Sequence, residues 1–249
     1  MTATPIVLLH AFPLDHRLWD DVAAVLVRDR EVIAPDLPVP AGEDLPEPAL
    51  EVVADRVAAL VRDAGGRAVV AGLSMGGYVA LALLERHPDV VAGLALVDTK
   101  STADTADAAA HRLRVADEVE AAGSVAPVRG SAGTLLGEST RTARPEVVER
   151  VTAWIDEQEP AHVAWAQRAM AARPDRTEAL RAYTGPVTVV VGDEDAVTGA
   201  DAAEHLVKAA AQATLVVVPR AGHLTAVEDA PAVTTALVEL AQRVDASEG

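Results

Sequence analysis

The sequence predicts an α/β protein whose core is a doubly wound, mainly parallel sheet, with a helical cap inserted between two strands. Several short apolar, β-branched runs are continuous rather than alternating, which is typical of strands covered on both faces. Helix-period stretches separate most of these runs, and strand alternating with helix predicts a parallel sheet. The predicted strands are Ile6–Leu9, Val32–Ala34, Ala68–Ala71, Leu94–Val97, Val187–Val191 and Leu215–Val218.

The helical segments fall into two groups. Residues 101–183 show no strand pattern, only Ala-rich helical stretches broken by Gly and Pro. We therefore expect a core of residues 1–100 and 184–249, with a cap of residues 101–183 over the strand ends. In doubly wound sheets, ligands and catalytic groups gather at the carboxyl ends of the strands. Helices of the core are predicted over Trp19–Arg28, Ala49–Ala64, Tyr78–Arg86, Ala200–Ala211 and Pro231–Arg243.

Composition excludes several classes of protein. The chain has 249 residues, 50% of them hydrophobic, which is enough to bury a stable core without disulfides or metals. Its formal charge of −17 repels phosphate backbones and anionic lipids, so nucleic acids and membranes are poor candidate partners. The absence of cysteine excludes thiolate metal sites and cysteine nucleophiles. No apolar run approaches the ~18 residues of a membrane helix, and no signal peptide is recognisable, so we expect a cytoplasmic protein.

The motif Gly72-Leu73-Ser74-Met75-Gly76 carries the strongest functional signal. It follows a predicted strand and precedes a predicted helix, so Ser74 is expected on a sharp, strained turn that needs small neighbours. The N-terminus of that helix favours negative charge, which suits an oxyanion. The simpler alternative is an ordinary turn whose serine caps the helix. A phosphate loop is excluded because no Gly-Lys-Ser/Thr follows, and a dinucleotide fingerprint fails because Ser74 occupies its second glycine position.

A serine nucleophile needs a base and an acid that orients the base. His223 directly follows the last predicted strand, which places it at the same sheet edge as Ser74. The acid should also follow a strand. Gly192-Asp193-Glu194-Asp195 comes directly after Val187–Val191 and offers three carboxylates, and Asp98 is a competitor because it ends the preceding strand. A calcium loop is excluded at this segment because no Gly and terminal Glu follow at the required spacing.

Stabilisation of an oxyanion needs two backbone N–H groups. One should belong to Met75, the residue after the nucleophile. The other should come from the loop after the first strand, Leu9-His10-Ala11-Phe12-Pro13, where Phe12 is placed to donate.

Together these motifs resemble the α/β-hydrolase superfamily over essentially the whole chain. The nearest resemblance is to small capped esterase-like members, such as enol-lactonases and cofactor-free haloperoxidase-type esterases. It implies Ser74 as nucleophile, Asp195 as acid and His223 as base, with oxyanion donors at Phe12 and Met75. The motifs that carry the resemblance are His10-Ala11-Phe12-Pro13, Pro35-Asp36-Leu37, Gly72–Gly77, Gly192–Asp195 and Gly222-His223.

Two positions depart from the family pattern. The usual His-Gly is His10-Ala11, which is compatible with the fold only if Ala11 need not adopt a positive φ. The usual glycine after Pro-Asp-Leu-Pro is Val39, so that loop is expected to run differently. Relatives that hydrolyse alkyl halides or epoxides carry Asp at the nucleophile position, so Ser74 argues against both activities.

Specificity is expected to lie in the cap. The candidate pocket residues are His10, Trp154, Trp165 and Met170. The two tryptophans are 11 residues apart, which places them on one helical face if the helix continues through Pro160. Packing of the cap onto the core explains the aromatic residues equally well. No arginine is placed by a motif to bind a carboxylate, so the sequence does not indicate an anionic substrate.

These features predict a serine hydrolase, without metal or other cofactor, that cleaves small carboxylic esters or lactones through an acyl-enzyme. An alternative with the same site is a thioester or carbon–carbon bond hydrolase of a catabolic pathway. A ligand-binding receptor is disfavoured because a binder needs no base. The expected partner is the small-molecule substrate, and the oligomeric state cannot be predicted.

Overall fold

A computed structural model describes residues 3–37 and 45–247; Val39 and most of its loop lie outside these ranges. The strands in the described residues form a single parallel sheet with the order β2-β1-β3-β4-β5-β6. This confirms the predicted doubly wound architecture. The strands are β1 (Ile6–Leu9), β2 (Val32–Ile33), β3 (Ala68–Leu73), β4 (Val91–Val97), β5 (Val187–Gly192) and β6 (Ala213–Val218).

The helices lie between and after these strands, mostly where helical periodicity predicts them. Within the described ranges they are α1 (Asp20–Leu26), α2 (Leu50–Asp63), α3 (Met75–Arg86), α4 (Ala106–Ala122), α5 (Ala132–Leu135), α6 (Glu138–Ala143), α7 (Pro145–Asp156), α8 (Pro160–Ala172), α9 (Thr177–Ala182), α10 (Gly199–Ala209), α11 (Thr225–Glu228) and α12 (Ala230–Ser247). Short 3₁₀ helices lie at His16–Trp19, Pro88–Val90 and Ala126–Ser131.

Successive residues of the interior strands point to opposite faces of the sheet, as the pleat requires. In β1, Ile6 and Leu8 pack in one apolar cluster with α1 and α12. Val7 and Leu9 pack in a second cluster with α2 and α3. All four side chains are fully buried. Helices on both faces therefore explain why the interior strands are continuously apolar.

The order of the strands reverses at β1. The chain passes from β1 to β2 at one edge, returns to β3 on the other side of β1, and then continues outward to β6. Ligands of open parallel sheets bind in the crevice at such a reversal, beyond the carboxyl ends of the strands. Phe12 follows β1 and Ser74 follows β3, so both lie at this crevice.

The edge strands correct one expectation. Leu215–Val218 reads as a strand covered on both faces, but β6 is the outermost strand, and Leu215 and Val217 are 42% and 52% exposed. Val32 and Ile33 of the opposite edge strand are only half-buried. An edge strand has a neighbour on one side only, and the flanking helices bury mainly the interior strands.

Residues 101–183 form helices α4 to α9 between β4 and β5, and α4 packs along α8. This segment contacts the loops at the strand ends, since Trp165 Nε1 donates a 2.6 Å hydrogen bond to the carbonyl of Pro46. The division into a core of residues 1–100 and 184–249 and a cap domain stays a prediction. Among the described residues, no helix combines the length and apolar character that crossing a bilayer requires.

Candidate active site

Ser74 occupies the strained turn between β3 and α3. Its φ of 78° and ψ of −102° lie in a region that residues other than glycine rarely adopt. The turn is held by hydrogen bonds: the Ser74 N–H donates to Val97 O at 3.0 Å, and its carbonyl accepts from Thr99 Oγ1 at 2.8 Å. The residue is partly exposed, unlike its neighbours Leu73 and Met75, which are buried.

The two glycines of the motif are required by close backbone contacts. A Cβ on Gly72 would lie 2.2 Å from Gly76 O, and a Cβ on Gly76 would lie 2.1 Å from Leu9 O. Backbone atoms cannot give way at such distances. The spacing of Gly, Ser and Gly is therefore a steric consequence of bringing strand, turn and helix together.

His223 connects Ser74 to a carboxylate. Its Nε2 lies 2.8 Å from Ser74 Oγ, and its Nδ1 lies 3.0 Å from both carboxylate oxygens of Asp195. The imidazole is 1% exposed. With a proton on Nδ1, the ring donates to Asp195 and leaves Nε2 free to accept the hydroxyl proton of Ser74.

Hydrogen bonds from the turn that follows Asp195 hold its carboxylate in place, in addition to the contact with His223. Its Oδ1 accepts from the N–H groups of Val197 (2.8 Å) and Thr198 (3.1 Å), and its Oδ2 accepts from Thr198 Oγ1 at 2.5 Å. Burial raises the pKa of Asp195, but His223 and the donors of this turn outweigh it and hold the pKa well below its usual range. The carboxylate is therefore ionised at neutral pH.

Asp98, the alternative acid, is held elsewhere. Its Oδ1 accepts from the Gly192 N–H at 3.0 Å, and its Oδ2 contacts the N–H (3.1 Å) and Oγ1 (2.6 Å) of Thr225. It is fully buried, and burial together with the charge of Asp195 raises its pKa well above the usual value. Asp98 thus joins the loop of Asp195 to the loop of His223, whereas Asp195 alone of the two bonds to the imidazole.

The cap holds the loop that carries His223. The His223 N–H donates to Leu135 O at 2.8 Å. The two backbone segments approach so closely that a Cβ on Gly222 would lie 2.3 Å from Gly137 N, and only a glycine avoids this clash. His223 is therefore positioned in part by the end of α5 and the residues that lead to α6.

Glu228 strengthens this connection and was not predicted. Its Oε1 accepts from the N–H groups of Gly222 (2.9 Å) and Leu224 (3.3 Å), which flank His223. Its Oε2 accepts from the Gly137 N–H of the cap at 2.9 Å. The side chain is 5% exposed. One buried carboxylate thus joins the loop of His223 to the helical segment 101–183. No sequence pattern relates position 228 to position 137.

The predicted oxyanion donors lie at the carboxyl ends of adjacent strands. Met75 is the first residue of α3, so its N–H has no partner within the helix. Phe12 is partly buried and packs against both apolar clusters. Ala11 has no positive φ, so alanine fits where the family usually has glycine. The role of these two N–H groups stays a prediction.

His10 has a positioning role in the structure. It is 1% exposed, its Nδ1 donates to Ala11 O at 3.0 Å, and its Nε2 accepts from the Leu37 N–H at 2.8 Å. Burial lowers the pKa of His10, which keeps the ring neutral and suits this pair of bonds. Both nitrogens are occupied, so His10 has none left to bind a substrate in this arrangement.

The remaining pocket candidates are separated. Trp154 lies on α7 and Trp165 lies on α8, so the two tryptophans do not share one continuous helical face. The Trp154 ring lies 5.8 Å from the guanidinium of Arg17, and Trp165 is buried with Met170 in the cluster that contains α3. Trp165 and Met170 thus pack on the side of the nucleophile helix, whereas Trp154 packs with the opposite cluster.

One group in the described residues has the spacing of a metal site. Ligand atoms of Asp15, His16 and Asp36 lie within 4.8 Å of one another. The Asp15 carboxylate already accepts from Arg17 and Gln158, and His16 Nδ1 is bonded to Asp36 at 2.7 Å. These atoms already serve hydrogen bonds of the protein, so we assign no metal site to them.

Comparison with known proteins identifies the class. The family model described as alpha/beta hydrolase fold matches residues 4–230. The chain therefore belongs to the α/β-hydrolase fold family, as its motifs predict.

Individual relatives agree with this assignment. The structure of a thermophilic esterase from Thermogutta terrifontis, with malate bound, is 36% identical over 98% of this chain and 91% of that one, with a TM-score of 0.92. A pimeloyl-[acyl-carrier protein] methyl ester esterase from Aromatoleum aromaticum is 38% identical over 99 residues, which span 40% of this chain and only 38% of the relative. The enol-lactonase from Burkholderia xenovorans LB400 is 23% identical over 97% of this chain and 92% of that one, with a TM-score of 0.85, and shows the shared fold.

Proposed function

We propose that this protein is a serine hydrolase of small carboxylic esters or lactones. The observation that carries the proposal is the continuous series of contacts from Ser74 Oγ through His223 to Asp195, at 2.8 Å and 3.0 Å. A nucleophile, a base in reach of it and an ionised carboxylate behind the base are the arrangement that acyl transfer requires.

In the proposed mechanism, His223 Nε2 takes the hydroxyl proton as Ser74 Oγ attacks the ester carbonyl. The N–H groups of Phe12 and Met75 donate to the oxygen that becomes negative. The imidazolium gives its proton to the leaving alcohol, which leaves an acyl-enzyme on Ser74. His223 then removes a proton from water, and the resulting attack releases the acid and restores the serine. Asp195 stabilises the imidazolium in both halves.

The relatives support ester chemistry over the alternatives. The relative that matches nearly the whole chain is named an esterase, and the one that matches part of it is named a methyl ester esterase. Thioester or carbon–carbon cleavage would use the same three residues, and no contact in the structure favours either one. A receptor function would not require the hydrogen bond between Ser74 and His223, because binding alone needs no base. We expect a small-molecule ester as the partner and no metal or cofactor in the reaction.

A series of p-nitrophenyl esters from acetate to octanoate tests the proposal. We expect the wild type to hydrolyse short acyl esters and Ser74→Ala to lose at least ~10³-fold in kcat/KM, the scale of losing a triad nucleophile. Ser131→Ala is the matched control, because the only partner of the Ser131 hydroxyl in the described part of the chain is Val128 O, one turn earlier. A fluorophosphonate should label Ser74 in the wild type and in the control.

Two outcomes would overturn the proposal. Hydrolysis that survives in Ser74→Ala would mean that another group does the chemistry. A wild type that neither hydrolyses any ester in the series nor reacts with the phosphonate would mean that Ser74 is not an activated nucleophile.

A further inference from the structure

A cluster of charged side chains lies beside the nucleophile helix. Asp104 is at its centre: its carboxylate accepts from Lys100 Nζ (3.0 Å), Arg112 Nε (2.6 Å) and Arg173 Nη2 (2.7 Å). The Asp104 side chain is 2% exposed. Burial raises the pKa of Asp104, but the two arginines outweigh it and hold the pKa well below its usual range.

The cluster carries an excess of positive charge. Three cations share one carboxylate, in a chain whose formal charge is −17. A purely structural ion pair is balanced, because unpaired charge is costly when it is removed from water. Lys100 and Arg112 retain part of their exposure, 29% and 23% of the side chain, so a small anion can still reach them.

The cluster adjoins the candidate active site. Lys100 and Asp104 follow β4, whose last residue accepts the Ser74 N–H. Tyr78 lies one turn after Ser74 on α3, and the guanidinium of Arg173 stacks 3.9 Å from the centre of its ring.

Some hydrogen-bond donors of Arg112 and its neighbour Gln167 have no protein acceptor among the described residues. The bonds of Arg112 to protein atoms run through Nε and Nη1, the latter to Gln167 Oε1 at 3.1 Å. Arg112 Nη2 and Gln167 Nε2 bond to no described residue, and the Arg112 side chain is partly exposed. An arginine and an amide with unused N–H groups, in a cluster where three cations share one carboxylate, are the chemistry that recognises a carboxylate.

We propose that Arg112, with Gln167, forms a subsite for a carboxylate that the substrate carries away from its scissile ester. This deepens the proposed function, on which it rests, and makes half-esters of dicarboxylic acids the preferred substrate class. It also gives the cap a definite role, because Arg112 lies on α4 and Gln167 on α8.

The test compares monomethyl succinate, glutarate and adipate with methyl butanoate, pentanoate and hexanoate, each pair matched in acyl carbon number. The measured quantity is the ratio of kcat/KM for the acid ester to that for its neutral partner, followed by proton release. We expect the ratio to exceed one in the wild type and to fall roughly tenfold to hundredfold in Arg112→Gln, which removes a charge-assisted bond.

Two further variants separate recognition from folding. Gln167→Glu keeps an acceptor for Arg112 and adds a negative charge beside it, so the ratio should fall although the packing is preserved. Arg114→Gln is the matched control: it removes one positive charge from an exposed position of the same helix and should leave the ratio unchanged. Calorimetry of glutarate binding supplies a measurement that does not depend on turnover, and the affinity should weaken in Arg112→Gln.

The outcomes distinguish the subsite from the hydrolase itself. A wild-type ratio at or below one, or a ratio that Arg112→Gln does not change, would overturn the subsite and leave the ester hydrolase standing. Glutarate binding that depends on Arg112 in a protein that hydrolyses no ester would support the subsite and overturn the proposed hydrolase. No turnover and no Arg112-dependent binding would overturn both.

Discussion

Asp98 and Asp195 are two buried carboxylates at the carboxyl ends of neighbouring strands, and their surroundings make them different groups. Asp195 accepts from the turn that follows it and faces the imidazole of His223 at 3.0 Å. Asp98 accepts from Gly192 and Thr225, and no cation among the described residues contacts it. The pKa of Asp195 lies well below its usual range, whereas burial raises that of Asp98.

The difference shows that position at a strand end does not by itself define a catalytic acid. A carboxylate that supports an imidazolium must remain ionised, which requires donors and a nearby positive charge. Asp98 instead joins the two loops that carry Asp195 and His223, and can do so without a charge. The comparison predicts that the two side chains differ in how much their substitution lowers kcat. It also predicts that their contributions to the free energy of unfolding change in opposite directions with pH.

The largest expected effect comes from Asp195→Asn. The amide cannot hold the imidazole with the proton on Nδ1, so kcat for ester hydrolysis should fall by about 10³- to 10⁴-fold. Asp98→Asn is the matched control, with the same substitution at the end of the neighbouring strand, and its kcat should stay within about tenfold of the wild type. Equal losses in both variants would contradict the assignment of Asp195 as the acid.

A smaller effect is expected from Glu228→Gln, which tests whether a third carboxylate positions the base. An amide can accept from Gly222 and Leu224 or from Gly137, but not from both sides, because its nitrogen is a donor. We expect kcat to fall by about tenfold with KM nearly unchanged, since the substrate does not touch Glu228 in our proposal. Steady-state kinetics measure this separation of kcat from KM.

The control for this variant is Glu204→Gln, because Glu204 is exposed and, among the described residues, bonds only to Lys208 on its own helix. It should behave as the wild type. If Glu228→Gln instead keeps the full kcat and only unfolds more easily, then Glu228 stabilises the fold without positioning the base.

The smallest effects should appear in the pH dependence of the free energy of unfolding. Asp98 binds its proton more tightly in the folded chain, so its contribution is full below about pH 3.8 and is lost as the pH rises toward the folded pKa. Asp195 binds its proton less tightly when folded, so its contribution is full above about pH 3.8 and is lost as the pH falls below that value.

Urea unfolding of the wild type and of both Asn variants measures these contributions as differences. The difference between the wild type and Asp98→Asn should decrease as the pH rises above about 4, by up to about 1.4 kcal/mol per pH unit. The difference between the wild type and Asp195→Asn should decrease as the pH falls below about 4. If both differences in the free energy of unfolding changed in the same direction with pH, the two carboxylates would not differ as described.

The parts of the molecule that local sequence determines were predicted well. The interior strands follow from continuous apolar runs, and the motif from Gly72 to Gly76 follows from contacts within a few residues. The exposed face of β6 was not foreseen, because apolar composition does not reveal that a strand has no outer neighbour. The separation of Trp154 from Trp165 depends on a helix break that spacing alone leaves open.

The site was predictable only where residues lie directly after strands. Ser74, Asp195 and His223 share that position, so parallel topology brings them to one edge. Glu228 and Arg112 form their bonds with partners 91 and 55 residues away, on the cap. Helical periodicity places such side chains on a face, but it does not determine which cap helix packs against which loop.

The hydrogen bonds between the cap and the loop of His223 limit how this protein can be re-engineered. A chimera that exchanges residues 101–183 for the cap of another hydrolase would remove Leu135 O and the Gly137 N–H together. The His223 N–H and one oxygen of Glu228 would then lose their partners. A new cap therefore cannot be grafted as a separate module unless the transplanted segment restores both bonds, because residues 101–183 also hold the loop of His223 in place.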